Sequence, residues 1–382
     1  MAHWNQDAAY ALASYKILAW PLGAWPIDDD TFYSKMRWLF AMISELLLVT
    51  SLATEICLSC ENSYEDPIDT YVVISSAILV LVKLSLLRMR RSTLSINLSC
   101  AIQDWSDVKD PISREIMMQH ARIARTISLS LFYCGFFAFM LYMLRLLPFL
   151  NATGQRMYYL PTSCLLKSVS NVEYVVVTFY QVIQLFITYA GNCCTEGIFV
   201  GITLHLCGQL ELLMINFRRI DQCKCKGDNI VAKLVVRHRH LLRLTETIED
   251  SYNVIILTQI FTSAILICIT GKFTSLFFTE FSIVVMIVML LQSFLYSYAG
   301  DNLRDQSEAL SFAVYNSNWC DFPSSDIRDL AFIMIKTNIP IRLTAGKFFY
   351  VTRATFTDIL KTSVSYLSAL RVMLEKQTTN SY

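Results

Sequence analysis

Charged and hydroxyl side chains are concentrated near the C-terminus, in a stretch over residues 348–374 that is long enough to cross a membrane. It carries the charged residues Arg353, Asp358, Lys361 and Arg371. Its hydroxyl residues are Thr352, Thr355, Thr357, Thr362, Ser363, Ser365 and Ser368. Each Arg, Lys or Asp at the centre of a membrane helix costs roughly 2.5–3.5 kcal/mol. We therefore expect this helix to border water or other protein helices rather than lipid.

A water-lined helix of this kind predicts an ion-conducting pore, built from several copies of the helix around one axis. Ser365, Ala369 and Val372 share one face at helical spacing. Their small or apolar side chains suit a constriction that closes by dewetting, with Lys361 or Arg371 at its ends. The alternative is that the polar face packs against other helices of the same chain.

Residues for catalysis or metal binding show no comparable pattern. The 12 cysteines are scattered, and Cys223 and Cys225 are too close together for a usual zinc pair and lack a second pair. No Ser/His/Asp set or phosphate-binding loop has plausible spacing. The sequence therefore predicts no enzyme, no metal and no cofactor. It leaves open whether Cys60 and Cys164 form a disulfide.

The elements that must position these side chains are apolar helices. Hydrophobic residues make up 54% of the 382 residues and charged residues 16%, against roughly 25% charged in an average soluble domain. The net charge of +1 and the lack of a basic tract give no indication of nucleic-acid binding. Seven stretches have the roughly 20 residues that a membrane span needs: 38–58, 68–87, 127–148, 172–206, 252–278, 281–299 and 348–374. The predicted fold is an all-α membrane protein with seven transmembrane helices.

The distribution of basic residues predicts the orientation of these helices. Segments 1–37, 88–126, 216–251 and 300–347 together hold 23 Lys and Arg residues, whereas the segments on the other side hold 4. Cytoplasmic segments are the ones enriched in Lys and Arg, so the N-terminus is predicted to be cytoplasmic. G-protein-coupled receptors have the opposite orientation. Asn151 then begins a glycosylation sequon in an outer loop, where a glycan could be added.

Four charged residues within the first three spans need partners or access to water. Glu55 and Arg145 lie near the ends of their helices, where they are expected to reach the membrane surface. Glu45 and Lys83 lie deeper, where a charge is costly unless it is paired. We expect those two residues to be paired or functional.

Three runs in the last third of the chain carry a resemblance to insect odorant receptors. Residues 296–303 read Tyr-Ser-Tyr-Ala-Gly-Asp-Asn-Leu, residues 343–349 read Leu-Thr-Ala-Gly-Lys-Phe-Phe, and residues 355–363 read Thr-Phe-Thr-Asp-Ile-Leu-Lys-Thr-Ser. The runs lie between residues 296 and 363 in the order typical of that family. The upstream part of the chain resembles the family in length, helix number and orientation.

The resemblance implies a ligand-gated, poorly selective cation channel in the plasma membrane of a sensory neuron dendrite. Such channels are tetramers of a tuning subunit and a co-receptor, and the short loop 216–251 is typical of the tuning subunit. The implied units are a ligand-binding bundle (1–299), a cytoplasmic anchor (300–347), a pore helix (348–374) and an outer tail (375–382). The implied anchor contacts are Tyr315, Trp319, Gly346 and Lys347.

The resemblance also implies where a ligand would bind. A small, volatile, apolar molecule needs a cavity lined by aromatic residues and methionines with one or two polar groups. The family places its site among the second to sixth spans, in their outer half. The matching candidates here are Val72, Ser75, Ser76, Leu79, Phe136, Phe139, Met140, Met143, Tyr180, Gln184, Thr270 and Phe273.

Two other functions compete with this prediction. A gustatory-type channel of the same superfamily would carry a Thr-Tyr and Gln-Phe pattern in the last helix, and residues 362–366 depart from it. A secondary transporter should show internal repeats and broken helices at matching positions of two halves, and neither is visible in the sequence. The partners predicted are therefore a co-receptor subunit, a small ligand, membrane lipid and permeant cations.

Overall fold

The computed structural model describes residues 5–27, 31–58, 67–144, 158–160, 162, 170–220, 230–272, 280–317, 319 and 322–379. These residues form ten α-helices and one two-stranded sheet. The helices are α1 Gln6–Ala19, α2 Phe32–Leu58, α3 Pro67–Met89, α4 Arg91–Asp107, α5 Pro111–Leu144, α6 Asn171–Arg218, α7 Ile230–Lys272, α8 Glu280–Tyr315, α9 Ser324–Thr337 and α10 Arg353–Thr379. Strands β1 Thr344–Ala345 and β2 Phe349–Tyr350 lie between α9 and α10 and pair antiparallel.

Six described helices are long and apolar enough to cross a membrane: α2, α3, α5, α6, α7 and α8. Helix α10 has 27 residues, also enough for a span, but it is too polar to be one of those six. The predicted all-α membrane fold with a polar last helix is thus confirmed. Helix α6 has 48 residues, about 72 Å at 1.5 Å per residue, so it extends well beyond the roughly 30 Å hydrocarbon layer.

Helix α6 is the centre of the bundle. It contacts α1, α2, α3, α4, α5, α7 and α8, and nearly every residue between Ile187 and Leu210 is buried. Gly191 allows α3 to approach closely, because a Cβ atom there would lie 2.6 Å from Val80 Cγ1. Helix α10 instead packs against α7 and α8. The last helix therefore lies at the periphery of the single chain.

A polar cluster fastens α4 to α6 and α7. Asp104 Oδ2 lies 3.1 Å from His205 Nε2, and Arg237 Nη2 donates to Asp104 Oδ1 at 2.6 Å. Burial acts to raise the pKa of the Asp104 carboxyl, but the hydrogen bonds and charges of His205 and Arg237 outweigh it, so the pKa lies below its usual value. The carboxylate therefore stays ionised and holds three helices together.

The last helix begins at Arg353 rather than at residue 348, because the residues before it form a hairpin. Thr344 pairs with Tyr350 and Ala345 with Phe349. Gly346 and Lys347 both have positive φ, at +59° and +63°, which is the geometry that tight hairpin turns require. The Gly346 N–H donates to Asn253 O at 2.8 Å, so the turn is docked on α7.

Replacing Gly346 with alanine should lower the free energy of unfolding by about 1–2 kcal/mol, because an L-residue is disfavoured at positive φ. A Cβ atom would also meet the Leu257 side chain at 2.5 Å. Thermal unfolding of the purified chain in detergent measures the change. Gly208→Ala is the control, since Gly208 lies in helix α6 and its Cβ would lie 3.2 Å from the His120 ring. Equal melting temperatures for the two variants would contradict the role given to Gly346.

Candidate ligand-binding site

A cavity of about 90 Å³ lies between α3, α5, α6 and α8. Two apolar clusters of the core meet there, one including Val72 and Phe281 and the other including Tyr189 and Val288. The lining residues are Val72, Val73, Ser76, Gly135, Ala138, Phe139, Tyr142, Leu185, Thr188, Tyr189, Asn192, Cys193, Phe281, Val285, Val288, Met289 and Gln292. The space is smaller than pockets for drug-sized ligands, which start near 300 Å³. A ligand of several heavy atoms therefore requires the lining side chains to move apart.

Most of the cavity wall presents carbon atoms. The Phe139 and Tyr189 rings are stacked with centroids 6.2 Å apart, and the Tyr142 and Phe281 rings lie 4.6 Å apart. Both tyrosine hydroxyls bond to backbone carbonyls, Tyr142 to Tyr159 O at 2.7 Å and Tyr189 to Phe132 O at 3.0 Å. The hydroxyls are thus satisfied within the protein, and the rings offer apolar and aromatic contact to a ligand.

Four polar side chains line the rest of the cavity: Ser76, Thr188, Asn192 and Gln292. Thr188 uses its single hydroxyl proton within the protein, towards Glu45 at 3.0 Å or towards Gln184 O at 3.1 Å. Within the described residues, Ser76 has no hydrogen-bond partner. The cavity is therefore mainly apolar, with a small polar edge.

A buried lysine lies directly behind this polar edge. Lys83 is fully buried, and its ammonium donates to Glu196 Oε1 at 2.5 Å, Gln259 Oε1 at 2.6 Å and Asn192 Oδ1 at 3.0 Å. These three bonds use all three donors of the ammonium group. The Tyr296 hydroxyl also donates to Glu196 Oε1, at 3.3 Å. The expectation that Lys83 is paired or functional is confirmed, and the partner Glu196 was not predicted.

The other charged residues of the first spans are also located. Glu45 is fully buried, and Thr188 donates to it across the α2–α6 contact. Glu55 is 5% exposed, so it is buried within the protein, and the prediction that it reaches the membrane surface was wrong. Arg145 lies outside the described residues.

The residues predicted to bind ligand fall into three groups. Val72, Ser76 and Phe139 line the cavity. A second group lies in the surrounding helices outside the lining: Ser75, Leu79, Phe136, Met140, Met143, Tyr180 and Gln184. Thr270 lies in α7 with its side chain outside the described part of the chain, and Phe273 lies outside it altogether.

Several lining residues were not predicted from the sequence. Tyr189, Asn192 and Cys193 lie on one face of α6, at the i, i+3 and i+4 spacing that defines a helix face. That spacing could have indicated them as a group. Phe281 and Gln292 on α8 have no local signal, because only the tertiary packing brings α8 against the cavity.

The predicted pore residues lie on a face of α10 that the chain itself leaves open. Lys361, Ser365 and Ala369 are exposed, whereas Ser363 is only 5% exposed against the neighbouring helices. The side chain of Val372 lies outside the described residues. One side of α10 thus packs on the bundle, and the side with the predicted pore residues does not.

An ion pair holds the start of α10 to α8. Asp301 is 4% exposed, and its Oδ2 atom accepts from both the backbone N–H and the Nε atom of Arg353, each at 2.8 Å. Asp301 Oδ1 also lies 3.5 Å from Arg304 Nη1. This carboxylate therefore caps the last helix and neutralises its first basic residue.

The predicted anchor residues make contacts within the chain. Trp319 donates from Nε1 to Tyr315 O at 3.1 Å and packs against the main apolar core. Lys347 pairs with Asp250 of α7 at 3.3 Å. The Tyr315 side chain is 66% exposed. The alternative of folding within the subunit is thus realised for Trp319, Gly346 and Lys347, which leaves contact with another subunit open.

The remaining sequence-based predictions concern glycosylation, a disulfide and metal binding. Asn151, Cys60 and Cys164 lie outside them. Among the residues that the structure covers, no group of three His, Cys, Asp or Glu side chains is placed to hold a metal ion.

Comparison with known proteins gives the chain its family. The family model described as 7tm Odorant receptor matches residues 63–364. Odorant receptor 9a of Drosophila melanogaster is 26% identical over 187 residues, which cover 47% of this chain and 46% of that receptor. Odorant receptor 85c of the same organism is 25% identical over 210 residues, covering 52% and 54%. The chain thus spans about half the length of the curated relatives it matches.

A solved structure supports the fold along nearly the whole chain. The insect olfactory receptor OR5 from Machilis hrabei, in complex with eugenol, has a TM-score of 0.76 and covers 96% of this chain and 99% of its own. Its sequence identity is only 15%, so this likeness concerns the fold alone. Because the family model matches well over half of its residues, the chain belongs to the 7tm odorant receptor family and is a multi-pass membrane protein.

Proposed function

We propose that this chain is the odorant-tuned subunit of a ligand-gated, non-selective cation channel. In this proposal it assembles with an odorant co-receptor into a heterotetramer in the plasma membrane of a sensory neuron. The N-terminus is cytoplasmic, residues 300–347 contact other subunits, and α10 lines the central pore. The family match favours this function over a gustatory receptor or a transporter.

The observation that carries the proposal is the apolar cavity in the middle of the bundle. Its aromatic walls and few polar groups fit a small volatile molecule. A ligand of about ten heavy atoms at roughly −0.5 to −0.8 kcal/mol per atom binds with about −5 to −8 kcal/mol, which corresponds to micromolar affinity at the favourable end. Only the part of that energy that differs between closed and open states drives opening. The closed state can therefore be favoured by a few kcal/mol at most.

The arrangement of α8 and α10 supports a route from this cavity to the pore. Phe281 and Gln292 of α8 line the cavity, and Asp301 of the same helix holds the start of α10. A ligand that repacks α8 would therefore also act on α10, whose polar face is exposed in the single chain. We propose that α10 then tilts outward and widens the pore near Ala369 and Val372.

Single cysteines on α10 test the pore. Ser365→Cys and Ala369→Cys, each co-expressed with an odorant co-receptor, should make the odorant-evoked current fall by more than half on exposure to a water-soluble thiol reagent. Ser363→Cys is the matched control, because this position is buried against the bundle and its current should not change. The wild-type chain measures the background from its 12 native cysteines. If neither exposed position reacts in open channels, α10 does not line the pore.

A further inference from the structure

We infer that the cavity offers hydrogen-bond donors, so that it selects small apolar ligands carrying an acceptor oxygen, such as a ketone, an aldehyde or an ester. This inference rests on the proposed function, whose ligand class it narrows. The inference is based on a series of hydrogen bonds that leads from Lys83 to the cavity.

The series of hydrogen bonds starts at Lys83, whose ammonium group can donate hydrogen bonds but cannot accept them. An ammonium group has three N–H donors and no acceptor. Any amide beside it must therefore turn its oxygen towards Lys83 and its NH₂ group away. Asn192 and Gln259 both do so, with Oδ1 at 3.0 Å and Oε1 at 2.6 Å from Lys83 Nζ. The buried lysine thus sets the direction of both amides.

Gln259 passes this direction on to Gln292. With its oxygen held by Lys83, Gln259 presents its Nε2 atom to α8, where it donates to Gln292 Oε1 at 3.1 Å. The same nitrogen lies 3.4 Å from Met289 O, a second acceptor on α8. Gln292 must therefore face Gln259 with its oxygen and turn its own NH₂ group elsewhere.

The NH₂ groups of the last amides in this series still have N–H donors without a hydrogen-bond partner within the described residues. Gln292 lines the cavity, and within the described residues its Nε2 atom has no hydrogen-bond partner. Asn192 also lines the cavity, and its Nδ2 atom makes one bond, to Thr188 O at 3.1 Å. Leaving such a donor unpaired in an apolar cavity is unfavourable, because the N–H loses its bond to water without gaining another. A ligand that supplies an acceptor removes that cost, and a hydrocarbon of the same shape does not.

Two substitutions separate this inference from ordinary packing. Gln292→Met keeps the length of the side chain and removes the donor. Gln259→Glu keeps an oxygen towards Lys83 and puts a second oxygen where the Gln259 nitrogen lies, so Gln292 should turn its NH₂ group to the new carboxylate and its oxygen to the cavity. Gln181→Met is the matched control, because Gln181 is a buried glutamine on α6 that does not line the cavity.

The test measures binding of matched probes to the purified chain by ligand-observed NMR, and currents in cells with the co-receptor. The probes are acetophenone, 1-phenylethanol and ethylbenzene, with 2-heptanone, 2-heptanol and heptane as a second series. The wild type and Gln181→Met should bind each ketone at least 5-fold more tightly than its hydrocarbon and more tightly than its alcohol. Gln292→Met should lower the ketone-to-hydrocarbon ratio at least 2-fold, while the remaining donor of Asn192 keeps it above one. Gln259→Glu should favour the alcohol.

Each outcome decides one question. A ketone-to-hydrocarbon ratio that is unchanged in Gln292→Met, or close to one in the wild type, overturns the inference about donors. If none of the probes binds, the inference about donors is overturned as well. Selective binding without any current contradicts the channel function and leaves the donor assignment standing.

Discussion

Replacing Lys83 with methionine should lower the free energy of unfolding by about 3–5 kcal/mol, because it leaves the Glu196 carboxylate buried without its cation. Both residues are at most 1% exposed. Such a loss approaches the total stability of many folded proteins, so the amount of folded chain at the cell surface should fall sharply. Surface expression and thermal unfolding in detergent measure the effect.

Two further variants show whether the loss comes from the unpaired charge. The double variant Lys83→Met/Glu196→Leu removes both charges and should recover most of the stability, since buried ion pairs can be replaced by apolar residues at little cost. Arg114→Met is the matched control, because Arg114 pairs with Asp7 at 2.6 Å but is 59% exposed, and exposed pairs contribute little to stability. A double variant no more stable than Lys83→Met would refute this explanation.

Replacing Asp301 with alanine should weaken the attachment of α10 to α8 by about 1.5–3 kcal/mol, the usual contribution of a hydrogen bond to a charged group. The substitution removes the cap on the Arg353 N–H and the partner of its guanidinium. Because we propose that α10 lines the pore, the closed state should lose part of this stabilisation. The expected result is a larger current without ligand and a lower odorant concentration for half-maximal response.

A neighbouring carboxylate provides the control for Asp301. Asp305 lies 3.6 Å from Arg353 Nη2 and is 47% exposed, so Asp305→Ala should change the current much less. Asp301→Asn keeps a side-chain acceptor and loses the charge, and its effect should lie between the two. If Asp301→Ala and Asp305→Ala give the same dose–response curve as the wild type, the ion pair does not restrain the last helix.

The sequence predicted the membrane helices well because each one is a long apolar run, which is a local property. It also predicted the unusual polarity of the last helix, since charges such as Asp358 and Lys361 can be read directly. The start of that helix was misplaced. It was predicted at residue 348, whereas Gly346 and Lys347 form a hairpin turn, which delays the helix to Arg353.

The cavity was harder to predict because it depends on contacts between distant segments. Val72 and Ser76 were predicted because the resemblance placed the ligand site among the second to sixth spans. The pairing of Lys83 with Glu196, which lies 113 residues further along the chain, leaves no pattern in a single sequence. The same is true of Gln292, whose importance follows only from its position between Gln259 and the cavity.

The continuity of α6 has a mechanical consequence. Tyr189 contacts the cavity and His205 belongs to the cluster on α4, so two points of one unbroken helix are attached to other helices. The two residues are 16 positions apart, about 24 Å along the helix, so a tilt of about 5° about one of them shifts the other by about 2 Å. A lever of this length turns a slight rearrangement around a guest molecule into a displacement large enough to exchange side-chain partners.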